Sequence, residues 1–223
     1  DLELIIANDH SKDKTDIKVK EILRNNPDSY KITYIHREEN IGMLPNFMDV
    51  LMQSKGKYIA ICEGDDYWTD PLKIQKQITF METNPDFAMC FHSVEIIASD
   101  GISNQLYNVP PKNELSTMDI LKKHYIPTCS LLFRNGYFSN GFPKWFSGSI
   151  SGDIPLEVLL STKGKTRFLN EKMACYRRHA GGISQSSRQI ENTRTGYIKM
   201  YSNLCKELSL RHFLYLQFII AKL

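Results

Sequence analysis

Asp65 and Asp66 are adjacent carboxylates that follow the run Gly56-Lys57-Tyr58-Ile59-Ala60-Ile61. That run reads as a strand, so the pair falls just past its C-terminal end, where open α/β sheets bind ligands. Two carboxylates so close repel each other unless a cation or hydrogen-bond donors occupy the site. Hard divalent ions such as Mg²⁺ and Mn²⁺ take oxygen ligands of this kind and bridge them to substrate phosphates. The stretch from Cys62 to Trp68 therefore points to a metal-dependent site for a phosphorylated substrate. The plainer alternative is a solvated acidic turn.

The elements that must position this pair are legible around it. Residues 2–7 read as a buried strand with Asn8-Asp9-His10-Ser11 as the turn at its tip. Ile17, Val19, Ile22 and Leu23 predict a helix over about 16–25, closed by Asn26-Pro27. Ile32-Thr33-Tyr34-Ile35 is a second strand, and Pro45, Phe47, Met48, Leu51 and Met52 mark a helix over about 43–54. With 57–62 as a third strand, the order β-α-β-α-β predicts a parallel, doubly wound layer. Asp70 is placed to cap a helix running to about Thr83. A long strand over 87–97 follows, then a polar loop over 99–114 containing Pro110-Pro111. A short helix near 116–123, a strand near 129–134, a helix over 154–161 and strands near 165–170 and 173–178 come next. The rest, from about 189, reads as helical.

Composition bounds the function. Of the 223 residues, 42% are hydrophobic and 24% charged, as in globular proteins with a sizeable core. The net charge of +3 comes without a Lys/Arg run, so nucleic acid is not the expected partner. The cysteines at 62, 90, 129, 175 and 205 form no C-x-x-C pair and read as free thiols of a reducing compartment. The apolar run Phe213–Ala221 is too short to span a bilayer. It suits a docked terminal helix or, with Lys199, Lys206, Arg211 and Lys222 around it, a peripheral membrane contact through 211–223.

Four stretches resemble family 2 glycosyltransferases. They are Leu4–Thr15 (LIIANDHSKDKT), Asn40–Asn46 (NIGMLPN), Glu63–Lys73 (EGDDYWTDPLK) and Tyr176–Ser184 (YRRHAGGIS). They match, in order, the strand-end "D-D-G-S" turn, the "N-x-G-x-x-x-N" segment, the D-x-D-type metal motif with its helix, and the closing "Y-R-x-H-x-G-G-x-S" element. The resemblance covers roughly residues 2–185. It implies a GT-A type α/β fold: a Rossmann-like mixed sheet flanked by helices, over 1–188, with a C-terminal helical extension over 189–223. It also implies a preceding strand, turn and helix, so the chain, which opens at Asp1 directly into an apolar run, is expected to lack an N-terminal piece.

The implied activity is inverting, metal-dependent transfer of a hexosyl group from a nucleotide sugar, UDP-linked, to an acceptor hydroxyl. The implied setting is bacterial cell-surface polysaccharide assembly in the cytoplasm, at the inner face of the membrane, on a glycan or lipid-linked glycan acceptor. By the resemblance, Asp9 accepts from the uracil imide N–H, Asn40 and Asn46 line the nucleotide pocket, and Asp65 contacts ribose or sugar hydroxyls. Asp66 and His179 hold Mn²⁺ or Mg²⁺, and Arg177 or Arg178 meets phosphate. Asp153 is the catalytic base, with Glu157, one turn on, as its alternative. Each has a structural alternative: Asp9 as a turn residue, Asn40 and Asp153 as helix caps, His179 as a packed or solvated imidazole. The other function classes are a sugar-phosphate nucleotidyltransferase and a non-catalytic glycan- or lipid-carrier-binding relative.

Overall fold

In a computed structural model the described residues are 1–98, 101–179 and 190–222. The chain opens with β1 (Leu4–Asn8), α1 (Thr15–Asn25), β2 (Ile32–His36) and α2 (Met43–Gln53). Next come β3 (Tyr58–Ala60), β4 (Tyr67–Trp68), α3 (Lys73–Thr83), β5 (Phe87–Ala98), β6 (Gly101–Leu106) and β7 (Glu114–Leu115). It continues through α4 (Thr117–Lys122), β8 (Leu132–Arg134), α5 (Asp153–Ser161) and β9 (Lys165–Arg178) to α6 (Ile190–Leu204) and α7 (Leu210–Lys222).

The expected parallel layer is only partly realised. β1 and β2 pair in parallel, from Leu4 opposite Ile32 to Asn8 opposite His36. β3 does not join them. It runs antiparallel to β8 in a seven-stranded mixed sheet ordered β3-β8-β5-β9-β4, with β6 on β5 and β7 on β9. The reason lies in the β8 end. Asn135 Nδ2 donates to the carbonyls of Ser54 and Gly56 at 2.8 and 2.9 Å, and Arg134 reaches Tyr58 Oη at 2.9 Å, so the three-residue β3 is held by β8 side chains. Glu3 ties β1 to the same approach by accepting from the N–H groups of Lys55 and Gly56.

Three further expectations are corrected. The polar 99–114 stretch contains β6 and β7, because an edge strand of mixed polar residues carries no apolar alternation to announce it. The two late strands are one, β9, which runs parallel to β5 and slips register where Asn170 and Glu171 loop out between the Leu169–His92 and Lys172–Ser93 pairs. Asp70 stands a turn ahead of its helix: its carboxylate accepts from Leu72 N–H at 2.7 Å, and α3 begins at Lys73.

β5 is buried along its first eight residues, as a strand covered on both faces must be. The main core packs Phe91, Phe133, Phe146, Leu156 and Leu160 with Met200, Leu204 and Leu216, so α6 and α7 share the core of the preceding elements. Contact is close enough at Gly196 that a Cβ there would lie 2.6 Å from Ile150 Cδ1.

Candidate active site

The acidic turn is brought to its partners by a strand of only two residues. β4 pairs antiparallel with β9, Tyr67 opposite Cys175 and Trp68 opposite Ala174, which lays residues 65–66 beside the end of β9. Asp66 Oδ1 accepts the Arg177 backbone N–H at 2.9 Å, and His179 Nε2 lies 3.0 Å from Asp65 Oδ2. Burial pushes the Asp66 carboxyl upward, while the Arg177 N–H and the Cys129 thiol, both donating to it, pull it back. Burial, with Asp66 beside it, raises the Cys129 thiol far above its usual range, so Cys129 is a fixed S–H donor.

The turn has a built back wall. Trp68 Nε1 donates to the Cys129 carbonyl at 2.9 Å, and Lys73 Nζ sits 4.2 Å from the centre of the Trp68 ring. Lys73 is buried, bonded to Gln77 Oε1 at 2.8 Å, and burial lowers its pKa to about 8. Gln77 in turn donates to Ser130 O at 2.9 Å. Carboxylate and imidazole are donor types that Mn²⁺ accepts, but among the described residues the ligand atoms of Asp65, Asp66 and His179 do not gather into one metal-sized group: His179 is paired with Asp65, and Asp66 with the Arg177 N–H.

A second titratable group gathers at the start of α5. Asp153 is the first residue of that helix, after Gly152, and Glu157 lies four residues on, on the same face. His124 Nε2 is 3.1 Å from both Glu157 carboxylate oxygens and 3.8 Å from Asp153 Oδ2. Its other nitrogen is 3.1 Å from Tyr107 Oη, and Asn108 donates to its carbonyl at 2.9 Å. Burial raises Glu157 to about 7, against the pull of His124. Burial alone would lower His124, but the charge and hydrogen bond of Glu157, with Asp153 behind them, carry it up to about 9. The N-cap of α5 is Gly152, so Asp153 is the first residue inside the helix and not its cap, and its side chain is 32% exposed.

At the tip of β1 the two Asp9 oxygens accept the N–H groups of Ile41 and Gly42, at 2.8 and 3.0 Å. Asn40 Nδ2 donates to the Asp9 carbonyl at 2.8 Å, and Asn46 accepts from Arg37 Nε at 3.0 Å. Gly42 has φ of +96°, which favours glycine, and turns the chain into α2. Asp9 and Asn40 thus fix the loop that leads into α2, where the Asn46 N–H bonds back to the Gly42 carbonyl at 3.1 Å, while each Asp9 oxygen keeps a lone pair. α2 connects this loop to Asp153: a Cβ on Gly152 would lie 2.8 Å from Leu44 Cδ2.

The family model for glycosyl transferase family 2 matches residues 1–138. The chain belongs to that family. An uncharacterized Mycobacterium tuberculosis protein is 38% identical over 189 residues, covering 83% of this chain and 53% of that protein. The Escherichia coli UDP-Glc:α-D-GlcNAc-diphosphoundecaprenol β-1,3-glucosyltransferase WfaP is 32% identical over 186 residues, 82% of this chain and 68% of the relative. The chain therefore spans about half the length of the mycobacterial relative. Among solved structures, S. aureus TarS 1–349 superposes with a TM-score of 0.66 at 13% identity, over 99% of this chain and 63% of that one. The mannosyltransferase PcManGT from Pyrobaculum calidifontis, in complex with GDP-Man and Mn²⁺, superposes at 0.61 and 11%, over 97% and 59%. These likenesses show the GT-A fold.

In this family 2 glycosyltransferase the structure pairs His179 with Asp65 and sets Asp66 against the Arg177 N–H, while Asn40 bonds to Asp9 and Asn46 to Arg37. Gly181-Gly182-Ile183-Ser184 lies outside the described residues. Three residues of the site escaped sequence reasoning. Cys129 reads as core, His124 as one more surface residue beside Lys122 and Lys123, and Glu63 as part of the acidic run. Burial, with the charges of Asp66 and Asp153 adding to it, raises Glu63 to about 7, so this residue feels both clusters. Only its place one residue before Gly64-Asp65-Asp66 could have drawn attention to it.

Proposed function

We propose that this glycosyltransferase moves a hexosyl group from a UDP-sugar to an acceptor hydroxyl with inversion, Asp153 acting as the base and the Asp65–Asp66 turn as the diphosphate end of the site. The observation that carries this reading is the β4–β9 pairing, which sets Asp65 against His179 and Asp66 against the Arg177 N–H. Asp66 and His179 would hold Mn²⁺ or Mg²⁺, which when bound neutralises charge on the departing diphosphate. Asp65, bonded to His179, orients the imidazole and accepts from a ribose or sugar hydroxyl. The free lone pairs of Asp9 suit the single imide N–H of a uracil, with Asn40 and Asn46 holding the loop around it. Asp153 takes the proton of the acceptor hydroxyl as that oxygen bonds to the anomeric carbon and the bond to the UDP oxygen breaks.

The name of the E. coli relative supports a UDP-hexose donor and a lipid-diphosphate-linked acceptor. Work at the cytoplasmic membrane face fits α7, which leaves Leu210, Leu214 and Phe218 exposed and carries Arg211 and Lys222 near its two ends. No helix among the described residues is long and apolar enough to cross a membrane.

The test is UDP release by the full-length protein with UDP-hexoses and Mn²⁺, alongside calorimetry with UDP. Asp153→Asn should slow transfer by roughly 10²- to 10⁴-fold while UDP·Mn²⁺ binding persists. Turnover near wild type in that variant would remove Asp153 as the base. A wild-type protein that binds UDP no better with Mn²⁺ than without it would remove the metal site.

A further inference from the structure

Asp153 and Glu157 pose an electrostatic problem that the proposed reaction does not by itself resolve. They lie at i and i+4 on α5, the spacing at which like charges oppose each other. Glu157 is buried, its side chain only 1% exposed, whereas that of Asp153 is 32% exposed. Two such carboxylates without a cation would share a proton, and a base that shares a proton is a poor acceptor for another. His124 is the group placed between them, 3.1 Å from Glu157 and 3.8 Å from Asp153.

We propose that His124 is a positioning residue for transfer: standing as an imidazolium between the two carboxylates, it cancels the charge of Glu157 and leaves Asp153 the one ionised carboxylate free to receive the acceptor proton. This inference rests on the assignment of Asp153 as base.

The surroundings favour that role. The ring is held from behind by Tyr107, which follows β6, through the 3.1 Å contact to Nδ1 and an edge-to-face approach at 6.1 Å between ring centroids. Tyr107 packs in the same manner on Tyr176 of β9 and feels Arg178 beyond it. Around Asp153 the other titratable groups are Tyr197 and Tyr201 of α6 and Glu63 before β4. No Lys or Arg joins His124 in ion-pairing these carboxylates among the described residues. The His124, Asp153 and Glu157 ligand atoms also lie within 4.8 Å of one another, so a metal ion is the competing occupant. The 3.1 Å separations between His124 Nε2 and the Glu157 oxygens are hydrogen-bond lengths, which place a proton between them.

The experiment measures kcat and donor KM between pH 5.5 and 10 for the full-length enzyme and its variants, with UDP·Mn²⁺ affinity as the check on folding. Wild type should lose turnover as pH rises through about 9, where His124 gives up its proton. His124→Gln should lower kcat roughly 10- to 100-fold, leave donor KM and UDP affinity within about twofold, and abolish that alkaline limb. His124→Lys should restore part of kcat and move the limb to higher pH. Glu157→Gln should move the limb toward lower pH, because Asp153 alone remains to hold the imidazole proton.

Unchanged kcat and an unchanged alkaline limb in His124→Gln would overturn the proposal. So would a loss that His124→Lys does not rescue but His124→Asn does. Mn²⁺ binding that survives Asp66→Asn and vanishes in His124→Gln would show a metal ion in this place instead. If His124→Gln fails to bind UDP, the Glu157→Gln profile decides: an unmoved limb refutes the idea. An Asp153→Asn enzyme at wild-type rate would sink the base assignment itself. An inactive Asp153→Asn beside a fully active His124→Gln would sink only the role of His124.

Discussion

His92 gives the sharpest energetic prediction. It lies in the middle of β5, 1% exposed. Its Nδ1 is 2.8 Å from the Ser93 carbonyl, which can only accept, so the ring proton sits on Nδ1. Nε2 is buried with no hydrogen-bond partner among the described residues. A second proton would have to be placed on that nitrogen, away from water. Burial accordingly lowers the His92 pKa to about 3, with Ser93 O and Asp70 opposing and nearby Lys73 assisting. In the unfolded chain His92 titrates near its ordinary 6.5. Between those values the unfolded chain binds a proton that the folded chain refuses, so stability falls as the pH drops. From His92 alone the loss is about 2 kcal/mol at pH 5 and about 3 kcal/mol at pH 4. Urea unfolding of wild type and His92→Leu at pH 7, 6 and 5 isolates it, because other acid-titrating groups are common to both. Wild type should lose about 2 kcal/mol more than the variant between pH 7 and 5. Equal losses in the two proteins would refute the neutral, unpartnered imidazole.

Other predictions concern the back wall of the site and the joints of the fold. Cys129→Ala removes the S–H donor to Asp66 and should weaken Mn²⁺-supported UDP binding roughly 10-fold, with Cys129→Ser near wild type, both read by calorimetry. Asp9→Ala strips the acceptor from the Ile41 and Gly42 N–H groups; chemical denaturation should show a loss of about 1–2 kcal/mol. Asp9→Asn keeps one acceptor but turns an amide NH₂ toward the second N–H, so it should recover only part of that stability while lowering UDP affinity. At Gly164 a Cβ would lie 2.7 Å from the Asp86 carbonyl and 2.9 Å from Ala88 N. Because that obstacle is backbone, Gly164→Ala should cost about 2–3 kcal/mol in urea unfolding.

Much of the fold was legible because its signals are local. The apolar runs of β1, β2 and β5 and the periodicity of α2 and α3 place those elements within a few residues. β3 was legible as a strand, but its partner was not, since only the Asn135 and Arg134 side chains, about 75 to 80 residues away, show why β8 claims it. β6 was missed because its residues carry no alternation. The acidic pair was visible by adjacency alone. Cys129 was not, for a thiol in an apolar stretch looks the same whether it fills the core or donates to a carboxylate.

By itself the sequence determined that a carboxylate pair follows a buried strand, that His179 and Asp153 come later in an order matching family 2, and that Asp9 ends the first strand. Tertiary structure decided what each of these touches. The two-residue β4 sets residues 65 and 66 against 177 and 179, so Asp65 meets His179 and Asp66 meets a backbone N–H. The 40–42 loop occupies both oxygens of Asp9. His124, 29 residues before Asp153 with no motif around it, ends between that residue and Glu157. The physical reason is common to all three. Residue type and spacing constrain hydrogen bonding within an element, whereas charge compensation depends on which distant groups the packed core brings within a few ångströms.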